Sequence, residues 1–170
     1  MDDAVRVQTN SGRQLTEAFD YQFARLHSRS CALVSNTSIE LLYRPAGSFS
    51  LAASYSVGEN VLRSAAAVEQ TFGGITANLW DDPFEWTLPE NLSTTERVIE
   101  YLEEVEATRR RAFASFKNDS ELSKEVLVPA RNTRPLIDLL TETLVKAADF
   151  QGRAIAMLAL LSDGNQRQVV

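Results

Sequence analysis

The chain has 170 residues, with 17 Lys and Arg against 23 Asp and Glu, which gives a formal net charge of −6 at pH 7. That length fits one domain, and the acidic balance argues against non-specific binding to nucleic acid or to an anionic membrane surface. Only 7 glycines and 5 prolines, with 44% hydrophobic residues, favour a compact and largely helical protein over disorder. A single cysteine, Cys31, excludes an internal disulfide and a cysteine-rich zinc site, and a single histidine, His27, excludes a three-histidine metal site.

No targeting signal is visible in the sequence. The first fifteen residues are polar and hold no apolar core of signal-peptide length. The most apolar run, Ala154–Leu161, is far too short to cross a bilayer. We therefore expect a cytoplasmic protein that does not bind a membrane.

Apolar residues at helical spacing predict three helices in the first two thirds of the chain. The first is expected over about Leu15–Ser35, and the second over about Ser56–Phe72, with Gly73 and Gly74 ending it. The third opens at Ser93, which suits an N-cap, and its outer face includes the arginine run at 109–111, whose charge complements the helix dipole. The predicted buried positions are Phe19, Phe23, Leu26 and Leu33, then Val57, Val61, Ala65, Val68 and Phe72, then Val98, Leu102, Val105, Ala112 and Phe116.

The strongest helical signal lies near the C-terminus. A stripe from Ile137 to Leu161 alternates steps of three and four residues, and Pro135 stands where a first helical turn tolerates proline. Asn132 or Thr133 is expected to cap this helix, and Gly164 to end it. Four amphipathic helices that must cover one another predict an all-α four-helix bundle, as a single domain over residues 1–170.

The connections between these helices are long for a bundle. Residues 126–128 are expected to form a short extended segment in the last connection. The middle connection holds both tryptophans of the chain, Trp80 and Trp86. Either these rings cover one end of the bundle, or they roof a pocket or form a dimer contact.

Two segments resemble the DinB-like (damage-inducible, YfiT-related) family. Ser56-Val57-Gly58-Glu59, followed by Leu62-Arg63-Ser64 and by Glu69, resembles the family's second helix, and the segment 144–161 resembles its last helix. The resemblance covers nearly the whole chain. It implies an up-down-down-up bundle and, in many members, a homodimer.

The resemblance also implies a divalent metal held by three histidines, one from the second helix and two from the last. Alignment on Gly152 places the last two positions on Lys146 and Phe150. The first falls on Ser64, or on Arg63 in another register, and helical phase favours Ser64. Phenylalanine has no donor atom, and a lysine ammonium repels a cation. We therefore expect neither a metal nor another cofactor.

Acidic residues near these positions offer alternatives. Glu59, Glu69 and Asp149 are the nearest, and an all-carboxylate site would need several of them to converge from different helices. In one interpretation Lys146 pairs with Glu142 or Asp149 on the helix surface. In the others it binds a small anionic ligand, or acts as a base together with Asp149 or Glu69.

His27 and Cys31 lie one turn apart on the core-facing side of the first helix. A Cys–His nucleophile would need a thiolate, an activating base and an oxyanion site. Nothing else in the sequence supplies these. We interpret both residues as packing residues.

Two functions remain open besides a metal-free enzyme that uses Lys146 as its base. The first is a DinB-like bundle that has lost its metal site and acts as a binding or interaction module. The alternative is a metal-dependent hydrolase or thiol transferase of that family, with ligands that do not align. The missing histidines favour the first. The candidate pocket residues are Ser64, Glu69, Lys146, Asp149 and Phe150.

Overall fold

The computed structural model describes residues 12–45, 55–83, 92–129 and 132–166, with side chains as far as residue 162. Most of these residues are helical, which confirms the all-α class. The α-helices in the described ranges are α1 (Gln14–Ser35), α2 (Ile39–Leu42), α3 (Val57–Ala77), α4 (Thr95–Ser115) and α5 (Leu136–Gln166). A 3-10 helix (Asp119–Ser123) and a short hairpin, β1 (Glu125–Val128) and β2 (Asn132–Pro135), connect α4 to α5. No helix within these ranges has both the length and the apolar character needed to cross a bilayer.

The four long helices pack around one apolar core. Both α1 and α3 pack against α4 and against α5. Phe23 of α1, Phe72 of α3 and Phe113 of α4 form a buried aromatic cluster with ring centroids 5.2 to 5.9 Å apart, a separation favoured by aromatic pairs. The residues predicted to be buried in the second and third helices are buried, whereas Phe19 and Leu33 of the first are half-buried.

Helix α3 continues through Gly73 and Gly74, so the prediction that this pair ends the helix is wrong. The helix ends at Asn78, whose φ of 55° lies in the left-handed region that asparagine tolerates. The Asn78 amide donates to the Gly74 carbonyl (3.0 Å), and the Leu79 amide donates to the Gly73 carbonyl (3.1 Å). This turn sends the chain back along α3 and brings Trp80 against it.

Helix α4 is capped one residue later than predicted. Thr94, not Ser93, is the N-cap, and its side chain accepts a hydrogen bond from the Arg97 amide (3.3 Å). A capping box occurs instead at the start of α3. There the Glu59 amide donates to the Ser56 hydroxyl (3.2 Å), and the Ser56 amide donates to the Glu59 carboxylate (2.7 Å).

Arg109 lies in the core, and its predicted place on the outer face of α4 is wrong. Its guanidinium donates two hydrogen bonds of 2.7 Å to Glu106, which is also buried, and it forms an ion pair with Asp20 of α1. Glu106 accepts a further bond from Arg110 (2.8 Å). Position 109 continues the stripe of Leu102 and Val105 at helical spacing, so the backbone points it inwards, and the paired acids make its burial possible.

The hairpin leads directly into α5. Residues 126–128 lie in β1, which confirms the predicted extended segment. Asn132 and Thr133 lie in β2, so neither caps α5 as predicted. The Leu136 amide donates to the Lys124 carbonyl (2.9 Å), which ties the first residue of α5 to the chain just before β1.

Helix α5 is 31 residues long, against 21 or 22 for the other long helices. It includes Gly164, so the predicted stop at that glycine is wrong. Most of its inward stripe is buried or half-buried, and its fully buried members are Leu140, Ala147, Gln151 and Ala154.

Candidate functional site

A groove lies between α3, α5 and the hairpin, and we call it the Lys146 groove. Its volume is about 230 Å³, just below the range typical of small-molecule pockets. It is lined by Ala67, Gln70, Thr71, Trp80, Val128, Pro129, Arg134, Leu139, Glu142, Thr143 and Lys146.

Trp80 forms one wall of this groove and is held by three contacts. Its indole nitrogen donates to the Asn78 side chain (3.2 Å), and its carbonyl accepts from Gln70 (2.9 Å). The ring lies so close to Gly74 that a Cβ added there would be 2.4 Å from ring carbons. Because Gly74 has no side chain, the indole can pack directly against α3. Trp86 lies outside the described residues.

Lys146 lines the groove, and the acids expected to pair with it are engaged elsewhere. Glu142 accepts from Arg134 of β2 (2.6 Å), and Asp149 accepts from Arg153 (2.6 Å). Within the described ranges no ion pair or hydrogen bond involves the Lys146 ammonium. The groove thus holds two cations and one carboxylate.

The hydroxyl groups of Thr71 and Thr143 in the groove are hydrogen-bonded to each other. The Thr143 hydroxyl donates to the Leu139 carbonyl (2.7 Å), so it accepts from the Thr71 hydroxyl at 2.6 Å. Both threonines are buried. The charged donors that line the groove are those of Lys146 and Arg134, and Arg134 is already paired with Glu142.

Ser64 lies away from this groove. It is 3% exposed, and its hydroxyl donates to the Ala147 carbonyl (2.8 Å). Ser64 lines a separate cavity of about 30 Å³ in the core, beside Phe23 and His27, with room for a water molecule. The positions Ser64 and Lys146 of the implied metal site therefore line two different cavities.

The other candidate pocket residues also have partners of their own. Glu69 accepts from the Tyr101 hydroxyl (2.7 Å), and burial together with that carboxylate raises the pKa of Tyr101. Phe150 is half-buried, with the Arg153 guanidinium 5.4 Å from its ring centroid. Arg153 is the residue that binds Asp149.

The residues at the implied metal positions do not fit a divalent ion. Ser64 has committed its hydroxyl to a backbone carbonyl, and Phe150 has no donor atom. Lys146 brings a positive charge. The alternative position Arg63 stacks on Tyr55, with its guanidinium carbon 3.8 Å from the ring centroid.

A different group of side chains meets between α1 and α4. The His27 Nε2 atom lies 3.3 Å from a Glu103 carboxylate oxygen and 3.6 Å from the Cys31 sulfur. His27 and Cys31 were expected to lie together, whereas no sequence pattern connects Glu103 of α4 to them. The three residues meet because α1 packs against α4, and this contact joins residues that are far apart in the sequence.

No protein-family model, no curated protein and no solved structure matches this chain. The DinB-like resemblance stays a prediction that rests on the segments quoted above.

Proposed function

We propose that this chain is a binding protein that holds a small organic anion in the Lys146 groove. The observation that carries the proposal is the position of Lys146, which faces the groove while both neighbouring acids bind arginines. A lysine ammonium without a protein partner attracts an anion from solution, because its charge is not neutralised locally.

The lining indicates which kind of anion would fit. Trp80, Val128 and Leu139 offer apolar surface, while Lys146 and Arg134 offer charged donors. Such a mixture suits a ligand with an apolar body and one anionic group. A volume of about 230 Å³ limits that ligand to a small molecule.

The engaged acids support binding rather than catalysis in this groove. A lysine base would need an acidic partner such as Asp149 or Glu69 near the reacting atoms. Asp149 is bound to Arg153, and Glu69 to Tyr101. The hydrolase alternative would need metal donors that the aligned positions lack.

We also propose the up-down-down-up order of the DinB-like family for the four long helices. Two contacts between α3 and α5 support opposite directions, because Ser64 bonds to Ala147 whereas the later Thr71 bonds to the earlier Thr143. Two contacts also support opposite directions for α4 and α1. Arg109 pairs with Asp20, whereas Glu103, which precedes Arg109, lies beside His27, which follows Asp20.

A cytoplasmic homodimer completes this proposal. The single cysteine leaves no internal disulfide to form, which suits a reducing compartment. Support for a dimer comes from the outward face of α5, which is exposed and largely apolar. It consists of Val145, Ala148, Gly152, Ile155, Ala156 and Ala159.

The test of anion binding uses benzoate, acetate and inorganic phosphate as probes and benzamide as the neutral counterpart of benzoate. Nuclear magnetic resonance titration follows the indole signal of Trp80. We expect saturable shifts with benzoate, and Lys146→Gln should weaken binding roughly tenfold, the effect of about 1.4 kcal/mol.

Lys117→Gln is the matched control, because Lys117 is exposed and lies outside the groove. It should leave benzoate binding unchanged. Equal affinity for benzoate and benzamide, or no loss in Lys146→Gln, would show that no anion site exists there. So would the absence of a shift with every anion tested.

A further inference from the structure

Three potential metal ligands converge between α1 and α4. They are His27 and Cys31, one turn apart on α1, and Glu103 of α4, and we call them the His27 cluster. One ligand atom from each side chain lies within 4.8 Å of the other two. The three residues supply a nitrogen, a sulfur and an oxygen donor, the types that bind zinc in proteins.

Two of the distances within the cluster are close to the edges of a zinc tetrahedron. Zinc bonds are about 2.0 to 2.2 Å to nitrogen or oxygen and about 2.3 Å to sulfur. With tetrahedral angles, these lengths place nitrogen about 3.4 Å from oxygen and about 3.5 Å from sulfur. The His27 Nε2 atom lies 3.3 Å from the Glu103 oxygen and 3.6 Å from the Cys31 sulfur. The sulfur is also 3.8 Å from Nδ1, so a bound ion would need the imidazole or the thiol to rotate until the sulfur lies beside Nε2 alone.

The surrounding structure holds the two helices in this register. His27 and Cys31 are four residues apart, so they share one face of α1, the spacing that zinc-binding helices use. On α4, Arg109 bonds to Asp20 of α1 close to the cluster. Glu106 faces the same region, but Arg109 and Arg110 occupy its carboxylate. Glu103 is thus the carboxylate available to an ion.

The charge of the cluster also suits a cation. Glu103 brings a carboxylate to His27 and Cys31, and a coordinated thiol loses its proton to the metal. A zinc ion would therefore be neutralised in part by the Glu103 carboxylate and in part by the Cys31 thiolate.

We propose that His27, Cys31 and Glu103 bind one zinc ion. Three protein ligands leave the fourth tetrahedral position for water, which is the ligand count of catalytic rather than structural zinc sites. This site lies on α1 and α4 and is independent of the Lys146 groove, so the failure of either proposal leaves the other standing. It departs from the expectation of a metal-free chain, in which His27 and Cys31 were interpreted as packing residues.

The test uses the full chain, stripped with a chelator, kept reduced with a phosphine, and titrated with Zn²⁺ or Co²⁺. Equilibrium dialysis with elemental analysis should return one zinc per chain. Cobalt should give the near-ultraviolet charge-transfer band of a Co–thiolate bond, which a hydrogen-bonded His27–Cys31 pair without metal cannot produce.

Three variants each remove one ligand, namely His27→Gln, Cys31→Ser and Glu103→Gln. Each should weaken zinc binding by at least about 10- to 100-fold, since the loss of an outer-sphere partner alone has that effect. Cys31→Ser should also abolish the cobalt band. Glu103 has a side chain 60% exposed, so its replacement by glutamine tests the site with little effect on the fold.

Glu100→Gln is the matched control, an exposed acid one turn earlier on α4. It should bind zinc as the unmodified chain does. Zinc binding of equal affinity in Cys31→Ser, a cobalt band that persists in that variant, or a reduced chain that retains no zinc would each overturn the proposal.

Discussion

At the scale of single residues, Arg109 and Glu106 form a buried ion pair in the described core. The side chain of Arg109 is 3% exposed, and that of Glu106 is 2% exposed. Two buried charges are expensive to desolvate, and their mutual hydrogen bonds offset that cost. Removing one of them leaves the other charged and unpaired in the interior.

We predict that Arg109→Ala lowers the free energy of unfolding by about 3 to 5 kcal/mol. Chemical denaturation measures the change. Arg111→Ala is the control, because Arg111 is exposed on the same helix, and it should stay within about 0.5 kcal/mol of the parent.

A double variant distinguishes an unpaired charge from a simple loss of packing. Arg109→Met combined with Glu106→Leu removes both charges and should recover most of the lost stability. A double variant as unstable as Arg109→Ala would show that packing of the arginine stem, not the charge pair, stabilises this region.

The same pair contributes to the acid sensitivity of the fold. Burial raises the pKa of Glu106, but the hydrogen bonds and charge of Arg109, together with smaller contributions from Arg110 and His27, outweigh that effect and hold the pKa below its ordinary value. The stabilising contribution is therefore complete above the unfolded pKa of about 4.3 and is lost as pH falls through the lower folded value. In Glu106→Gln this part of the pH dependence should disappear.

The burial of Arg109 shows where residue-level prediction fails. Its position on the apolar stripe of α4 predicts burial, while its place in a run of three arginines predicts exposure. Exposure was predicted because Asp20, the acid that pairs with Arg109, lies on another helix 89 residues away and could not be identified from the local sequence. Glu103 is exposed, and no local pattern connects it to His27 on the other helix.

At the scale of elements, Gly74 sets the geometry of the Lys146 groove. Helix α3 accepts Trp80 against its surface only because position 74 has no side chain. Glycine ordinarily destabilises a helix interior by about 1 kcal/mol relative to alanine. The close approach of the indole explains why the residue suits this position.

We predict that Gly74→Ala destabilises the protein and displaces Trp80, with a shift of the Trp80 indole signal. In a Trp80→Ala background the same substitution should be neutral or should stabilise the helix by up to about 1 kcal/mol. Thermal unfolding of the four proteins gives the coupling between the two positions. Additive effects would show that the ring does not depend on the glycine.

Helix existence was predictable here, and so were both ends of α1 and the start of α3, while the other helix ends were not. The stripes of α3, α4 and α5 identify these helices because each buries one face along its length. The ends depend on a turn at Asn78 and on a hairpin that replaces the cap of α5. These features arise from contacts with other segments, so the glycine pair and the Asn132-Thr133 signal were misinterpreted.

At the scale of the whole molecule, the outward face of α5 makes dimerisation testable. We predict that light scattering returns twice the chain mass of 18.9 kDa. Ala156→Arg places a charge within that face and should return the monomer mass.

Ala107→Arg is the control for this substitution, since Ala107 is exposed on α4, away from the face. It should remain dimeric. A monomer mass for the unmodified chain at micromolar concentration would contradict the prediction, as would a dimer unaffected by Ala156→Arg.

The length of α5 has a consequence for how the protein opens. Thirty-one residues rise about 46 Å, whereas the 21 residues of α3 or α4 rise about 32 Å. After Ala154 the described core-facing side chains, Met157, Leu158 and Leu161, are only half-buried. The last turns therefore gain less from packing than the middle of the helix and depend more on their own hydrogen bonds, which are marginal for short helices in water. Their amide protons should exchange with solvent through local opening, whereas those around Leu140 and Ala147 exchange only when the bundle unfolds. Within this one helix, the free energy of local opening should therefore rise from a low value at the C-terminal end to nearly the free energy of global unfolding around Leu140 and Ala147.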